Sequence, residues 1–240
     1  MKKLLTLTTL LFLSMGAFTQ VDEEELIILK ADRNWEKLIR QAEKYTQKSD
    51  TKNDPLPYYY MAYGLYKISF IGDRDDAYKN AYKDALTVVG KMMRKDSDGR
   101  VQKEYEEFFV ELKLSLLEII RNDFEAEEYR RSFGWVMKIY KFGRDNIAGK
   151  FLEGAVRYRN NDKSTAKTKW KEGRKLIEEV SSANEFDDAD REMIKYGLYH
   201  AAKCQKEAKQ IDAAKEIMNL GAQWFEDEKD WQRYYDEIVN

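Results

Sequence analysis

Apolar residues in this chain recur at intervals of three and four, and alternating β-branched runs are nearly absent. That periodicity predicts an all-α fold, helical almost throughout. The helices fall into pairs. Residues 22–31 and 35–47 form the first, with Trp35, Leu38, Ile39, Ala42 and Tyr45 on one face of its second member. Residues 56–70 and 75–94 form another, interrupted at Ile71-Gly72-Asp73. Pro55 and Pro57 stand at its start, where a first helical turn tolerates proline because its amides have no internal partner. A longer pair covers 100–122 and 125–142. The fourth spans 146–159 and 163–180, turning at Asn160-Asn161-Asp162, and the fifth spans 190–209 and 211–225. Residues 229–239 close the chain as a cap, and 181–188 read as loop.

Within the fourth pair, Ala166, Trp170, Gly173 and Ile177 follow one another at four, three and four, which forms one buried stripe. Burying Trp170 and Ile177 contributes about 1.5–3 kcal/mol each. Gly173 costs about 1 kcal/mol of helix propensity, which is tolerable where a neighbouring helix passes close. A longer spacing then repeats. Gly154 is followed at +12, +16 and +19 by Ala166, Trp170 and Gly173, and Ala201 by Ala213, Ile217 and Leu220. Small residues at those offsets let two antiparallel backbones approach while a large side chain fills the gap beside them.

Charge and the first residues add an address. The start MKKLLTLTTLLFLSMGAFTQ has Lys2 and Lys3, an apolar run, then small residues, with Ala17 and Thr19 placed for cleavage before Gln20. Residues 1–19 therefore read as a secretion signal and 20–240 as one domain. The run is short for a membrane span, which needs about 20 residues. No cysteine follows it, so the expected product is exported, periplasmic or secreted, and not a lipoprotein. Removing Lys2 and Lys3 moves the net charge from −2 to −4, without the basic excess of a nucleic-acid binder. Cys204 is the single cysteine, so the fold must hold by packing rather than by an internal disulfide.

Candidate chemistry is sparse. His200 is the only histidine, which leaves no partner for a histidine metal cluster and no spare base for a Ser–His–Asp triad. It reads as a structural residue beside Ala201, and Cys204 as a buried inert thiol. Asp96-Ser97-Asp98-Gly99 looks like part of a calcium loop, but Arg94 stands at the first ligand position and no Glu follows at the required place. Glu185, Asp187, Asp188 and Asp190 suit either a loose cation site or the capping of the next helix. Neither a phosphate loop nor a zinc spacing is present. No catalytic, cofactor or metal residue is therefore expected. Lys163, Lys167, Lys171 and Arg174 recur at four, four and three. They form a basic ridge that either docks an acidic partner or is a solvated outer face. Tyr58-Tyr59-Tyr60 hints at sugar stacking, although successive helix residues diverge and at most two share a platform.

The small-residue spacing resembles the tetratricopeptide repeat, a 34-residue helix–turn–helix unit with small residues at its eighth, twentieth and twenty-seventh positions. Residues 147–180 are most similar to it, through Gly154, Ala166, Trp170 and Gly173. Residues 194–225 follow through Ala201 and Ala213, and 56–89 through Gly64 and Ala77, which lie one residue too far apart. The resemblance covers about half of the chain and leaves out the first and third pairs. It implies a right-handed α-solenoid of about five antiparallel helix pairs with a C-terminal capping helix, whose first helices line a concave groove for peptides or protein surfaces. Carried over by position, that groove holds Tyr58, Met61, Leu65, Phe151, Ala155, Tyr158, Lys195, Leu198 and Ala202. Phe151 and Ala155 replace the Lys and Asn with which the family grips a C-terminal carboxylate, so an apolar segment is the expected occupant. The implied function is an exported, non-enzymatic protein-interaction module, with a glycan- or envelope-polymer-binding protein as the alternative. Phe151→Ala and Tyr158→Ala are each expected to weaken partner binding and leave helicity intact.

Overall fold

Short polar side chains begin many of the helices. Asp22, Asn34, Asp54, Asn146, Asp162 and Asp187 each accept a hydrogen bond from an amide of the helix that follows, satisfying donors that the helix itself leaves free. The computed structural model describes residues 21–240. The leader-like segment 1–19 lies outside the described residues. Twelve α-helices follow: α1 (Glu23–Ala31), α2 (Trp35–Gln47), α3 (Pro55–Ile68), α4 (Ala81–Met93), α5 (Arg100–Glu104), α6 (Glu106–Glu125), α7 (Tyr129–Ile139), α8 (Ile147–Arg159), α9 (Lys163–Glu178), α10 (Asp188–Glu207), α11 (Ile211–Phe225) and α12 (Lys229–Val239). No strand occurs among the described residues, and no helix there is long and apolar enough to cross a membrane.

Four of the helix pairs turn in the same way. Arg33, Glu127, Asn161 and Lys209 adopt φ of 55–67°. The amide one residue later donates to a carbonyl five residues back: Asn34 to Leu29, Glu128 to Asp123, Asp162 to Arg157 and Gln210 to Gln205, at 2.8–3.0 Å. This is the Schellman arrangement, which ties off a helix through one left-handed residue. It joins α1 to α2, α6 to α7, α8 to α9 and α10 to α11.

Two predicted helices are divided. The segment 75–94 opens with a separate turn, Asp76–Tyr78, because Asp75 accepts from the Ala77 amide and Arg74 donates to the Tyr78 carbonyl. Helix α4 begins only at Ala81. Ala77 is therefore exposed, and it is Ala81 and Ala85 that are buried. Gly64 makes its close approach to α2 instead: a Cβ there would lie 2.8 Å from Ile39. The segment 100–122 breaks at Tyr105, whose backbone leaves the helical region and whose ring stacks on Tyr59 with centroids 3.8 Å apart.

One connected core runs from Val21 to Ile238. Helix α3 packs between α2 and α4, α8 packs against α7, α9 and α10, and α10 packs against α6, α8, α11 and α12. The fit of α8 to α9 is close. A Cβ on Gly154 would lie 2.2 Å from Trp170 Nε1, so only glycine admits the indole, which donates from Nε1 to the Phe151 carbonyl at 3.2 Å.

Candidate functional site

The residues carried over as a groove lie mainly inside the protein. Tyr58, Leu65, Phe151, Ala155, Lys195, Leu198 and Ala202 are buried, and only Met61 and Tyr158 are partly exposed. The cause is the way α8 is enclosed. Phe151 sits against Gly173 of α9 on one side and Gly197 of α10 on the other, which leaves it fully buried. Tyr58 donates its hydroxyl to the Lys52 carbonyl at 2.9 Å. Lys195 is held between Glu192 and Glu228, each 2.5 Å away. Tyr158 stacks on Trp170, with the Lys163 ammonium 5.1 Å above its ring. Tyr59 and Tyr60 are likewise buried, and Tyr59 is enclosed by Tyr105, Phe108 and Tyr63.

The basic ridge has a different setting. Lys163, Lys167 and Lys171 are exposed and Arg174 is half-buried. Lys167, Lys171 and Arg174 line a cleft of about 360 Å³ between α9 and α11, whose apolar lining is Phe151, Trp170, Ala213, Ile217 and Leu220. Arg174 reaches across the cleft to Glu216 at 3.4 Å. Glu172 is turned to Lys150 and Lys169, at 2.7 and 3.1 Å, and the hydrogen bond from Lys150 holds its carboxyl below the usual range. Lys167 and Lys171 are left without an ion pair among the described residues. Gln205 of α10 also lines the cleft. Its buried Oε1 accepts no hydrogen bond, an omission that costs about 1–3 kcal/mol.

This arrangement favours one class of contact. Unpaired cations above an apolar floor attract an acidic chain over distances of several ångströms, and the floor then buries its apolar side chains. The periodicity of α9 predicts the lysine row and Trp170, but Phe151 of α8 and Ala213, Ile217 and Leu220 of α11 complete the floor and leave no mark in the spacing of the ridge.

The other singled-out residues serve the fold. Cys204 is buried, its Sγ 3.9 Å from the Ala155 carbonyl, and burial pushes its thiol up to about 11. Asp96 accepts from the amides of Val101 and Gln102 at the start of α5. Asp187 and Asp190 both lie 2.6 Å from Lys113 Nζ, so the cation they gather is an ammonium of α6. Lys113 was missed, although a lysine between Leu112 and Leu116 on an apolar stripe is the kind of position where a buried partner is required. The acid Glu153 is buried as well, and accepts from Tyr140 and Arg157 at 2.7 Å each. No cluster of His, Cys, Asp and Glu suited to a metal ion occurs among the described residues.

Comparison with protein-family models, with curated proteins and with solved structures finds no match to this chain.

Proposed function

We propose that this chain is an exported, non-enzymatic interaction module of the tetratricopeptide kind, a right-handed solenoid of helix pairs that seats an acidic protein segment with one apolar face. The observation that carries this reading is the cleft between α9 and α11, where unpaired Lys167 and Lys171 rim a lining that includes Trp170, Ile217 and Leu220. Carboxylates of the segment meet the lysines, and its apolar side chains bury against the floor.

The repeat reading is supported by the recurring turn. Two of its left-handed residues, Glu127 and Asn161, stand 34 positions apart, the length of one tetratricopeptide unit, while Asn161 and Lys209 stand 48 apart and Arg33 and Glu127 94. The first interval draws the third helix pair into the repeat, where the small-residue spacing omits it. Export rests on the sequence of 1–19 alone.

The test is a titration of a fluorescent amphipathic peptide, with glutamates on one face and leucines on the other, into the full chain. Binding is expected to weaken as salt rises. Lys167→Glu combined with Lys171→Glu is expected to reduce affinity by about tenfold or more, with the helical circular dichroism unchanged. Equal affinity in the double variant would overturn the reading.

A further inference from the structure

A second pocket opens on the opposite side of α10. Successive helix residues advance by about 100°, so Tyr196, Tyr199, His200 and Lys203 share one face and Gln205 lies on the other. With Phe124, Tyr129 and Tyr234 these residues line a cavity of about 400 Å³ fed by α6, α7, α8, α10 and α12. That volume falls within the range of about 300–1,000 Å³ typical of small-molecule sites.

Its cations are already paired. Arg159 pairs with both carboxylate oxygens of Glu207, Lys203 with Glu237 and Arg233 with Asp230, and Arg121, outside the lining, pairs with Glu192. The same four cations lie over the rings of Tyr129, Tyr199, Tyr234 and Tyr196, 5.3–5.5 Å from their centroids. An anion entering here would have to break an existing ion pair. A cation would meet ring faces whose negative charge density is already engaged, with only the solvent-exposed and therefore screened carboxylates of Glu125 and Glu127 to face it.

What the pocket leaves open is hydrogen-bonding capacity, neutral on its aromatic wall and carboxylate at Glu125 and Glu127. The ring of His200 lies 4.3–4.9 Å from the rings of Phe124, Tyr196 and Tyr199, and its nitrogens bond to no other described residue. Burial among those rings, with Lys203 and Arg159 nearby, pushes its pKa down to about 3. The neutral imidazole has one donor and one acceptor. The hydroxyls of Tyr129, Tyr196 and Tyr234 also make no hydrogen bond to another described residue, nor do the carboxylates of Glu125 and Glu127, which line the pocket as well. Donors and acceptors of this kind, the carboxylates serving as acceptors, set among aromatic edges complement a ring compound with hydroxyls on its rim and C–H groups on its faces.

We propose that this pocket binds a neutral pyranose, free or at the end of a glycan chain, with His200 bonding a hydroxyl pair and the tyrosines walling the ring. This site is separate from the α9–α11 cleft and stands or falls independently of it.

The test is saturation-transfer difference NMR on the full chain with glucose, galactose, mannose and N-acetylglucosamine, each as monosaccharide and as short oligosaccharide. At least one is expected to receive saturation, with the signal lost by tenfold or more in His200→Phe, which keeps an aromatic ring and removes the nitrogens. Tyr234→Leu supplies a second variant if His200→Phe folds poorly. Lys167→Glu with Lys171→Glu is expected to leave the signal unchanged. Equal transfer to monosaccharide and oligosaccharide assigns the free sugar, and transfer confined to a terminal residue of the oligosaccharide assigns the glycan end. Absence of transfer from every sugar, or transfer that survives both pocket variants, overturns the proposal.

Discussion

The two clefts flanking α10 each present three lysine or arginine side chains and differ in how those charges are matched. The α9–α11 cleft has two lysines with no ion pair above an apolar floor, so its field reaches into solvent. In the aromatic pocket each of the three lining cations already has a carboxylate, so selection there falls to shape and to hydrogen bonds. Counting lysines and arginines does not separate these sites; knowing which of them are paired does. The lesson lives in tertiary structure, because Arg159 finds Glu207 across 48 positions of sequence.

The largest expected perturbation is Phe151→Ala. This side chain is fully buried between Gly173 and Gly197 and also lines the cationic cleft. Its loss is expected to cost about 4 kcal/mol, read as a lower urea midpoint. The variant thus acts on stability, whereas the groove carried over by position implied an effect on binding alone. A cost below about 1 kcal/mol would mean that α8 is not enclosed as described.

His200 sharpens the comparison from the other side. Its pKa in the folded chain lies near 3, against about 6.5 when unfolded. As pH falls from about 6.5 towards 3, the unfolded chain takes up a proton that the folded chain refuses, so stability declines. The loss across that window is expected to be on the order of 3 kcal/mol, allowing for the partial exposure of the ring. Urea melts of wild type and His200→Phe at pH 7 and pH 4 measure it. The variant is expected to lose less stability on acidification, and parallel losses would contradict the placement of a neutral imidazole among the rings.

The smallest effect expected is at Gln205. Replacing it with Met keeps the volume and removes the orphaned Oε1 in the wall of the cationic cleft. Stability is expected to rise by about 1 kcal/mol, seen as an increase in Tm. A decrease would show that the amide has a partner in solution.

Much of the helical framework was legible because amphipathic periodicity and capping residues agree along the chain. The bounds of α2, α11 and α12 follow from it directly. The close contact of Gly154 with Trp170 was legible too, since a glycine and an indole at a fixed offset have few other uses. The break at Tyr105 was hidden, because what decides it is a ring stacked on Tyr59, 46 positions away. The recurring turn was equally hidden: Arg33, Glu127 and Lys209 are left-handed without being glycine or asparagine, so residue type gives no hint of their backbone. Of the candidate sites, the lysine row follows from helical spacing on one element. The aromatic pocket draws on residues from Phe124 to Tyr234, and only the packing of α10 on α6 and α12 brings them together.

The account rests most heavily on the α9–α11 cleft as the docking surface. The direct measurement is photo-crosslinking in the native cells from an unnatural amino acid placed at Lys163 or Ala213, with Met137 on the exposed face of α7 as the control. Crosslinks from the two cleft positions to one acidic protein, absent from the control and abolished by Lys167→Glu with Lys171→Glu, are the predicted result. The same crosslinks persisting after charge reversal, or arising equally from Met137, would contradict it.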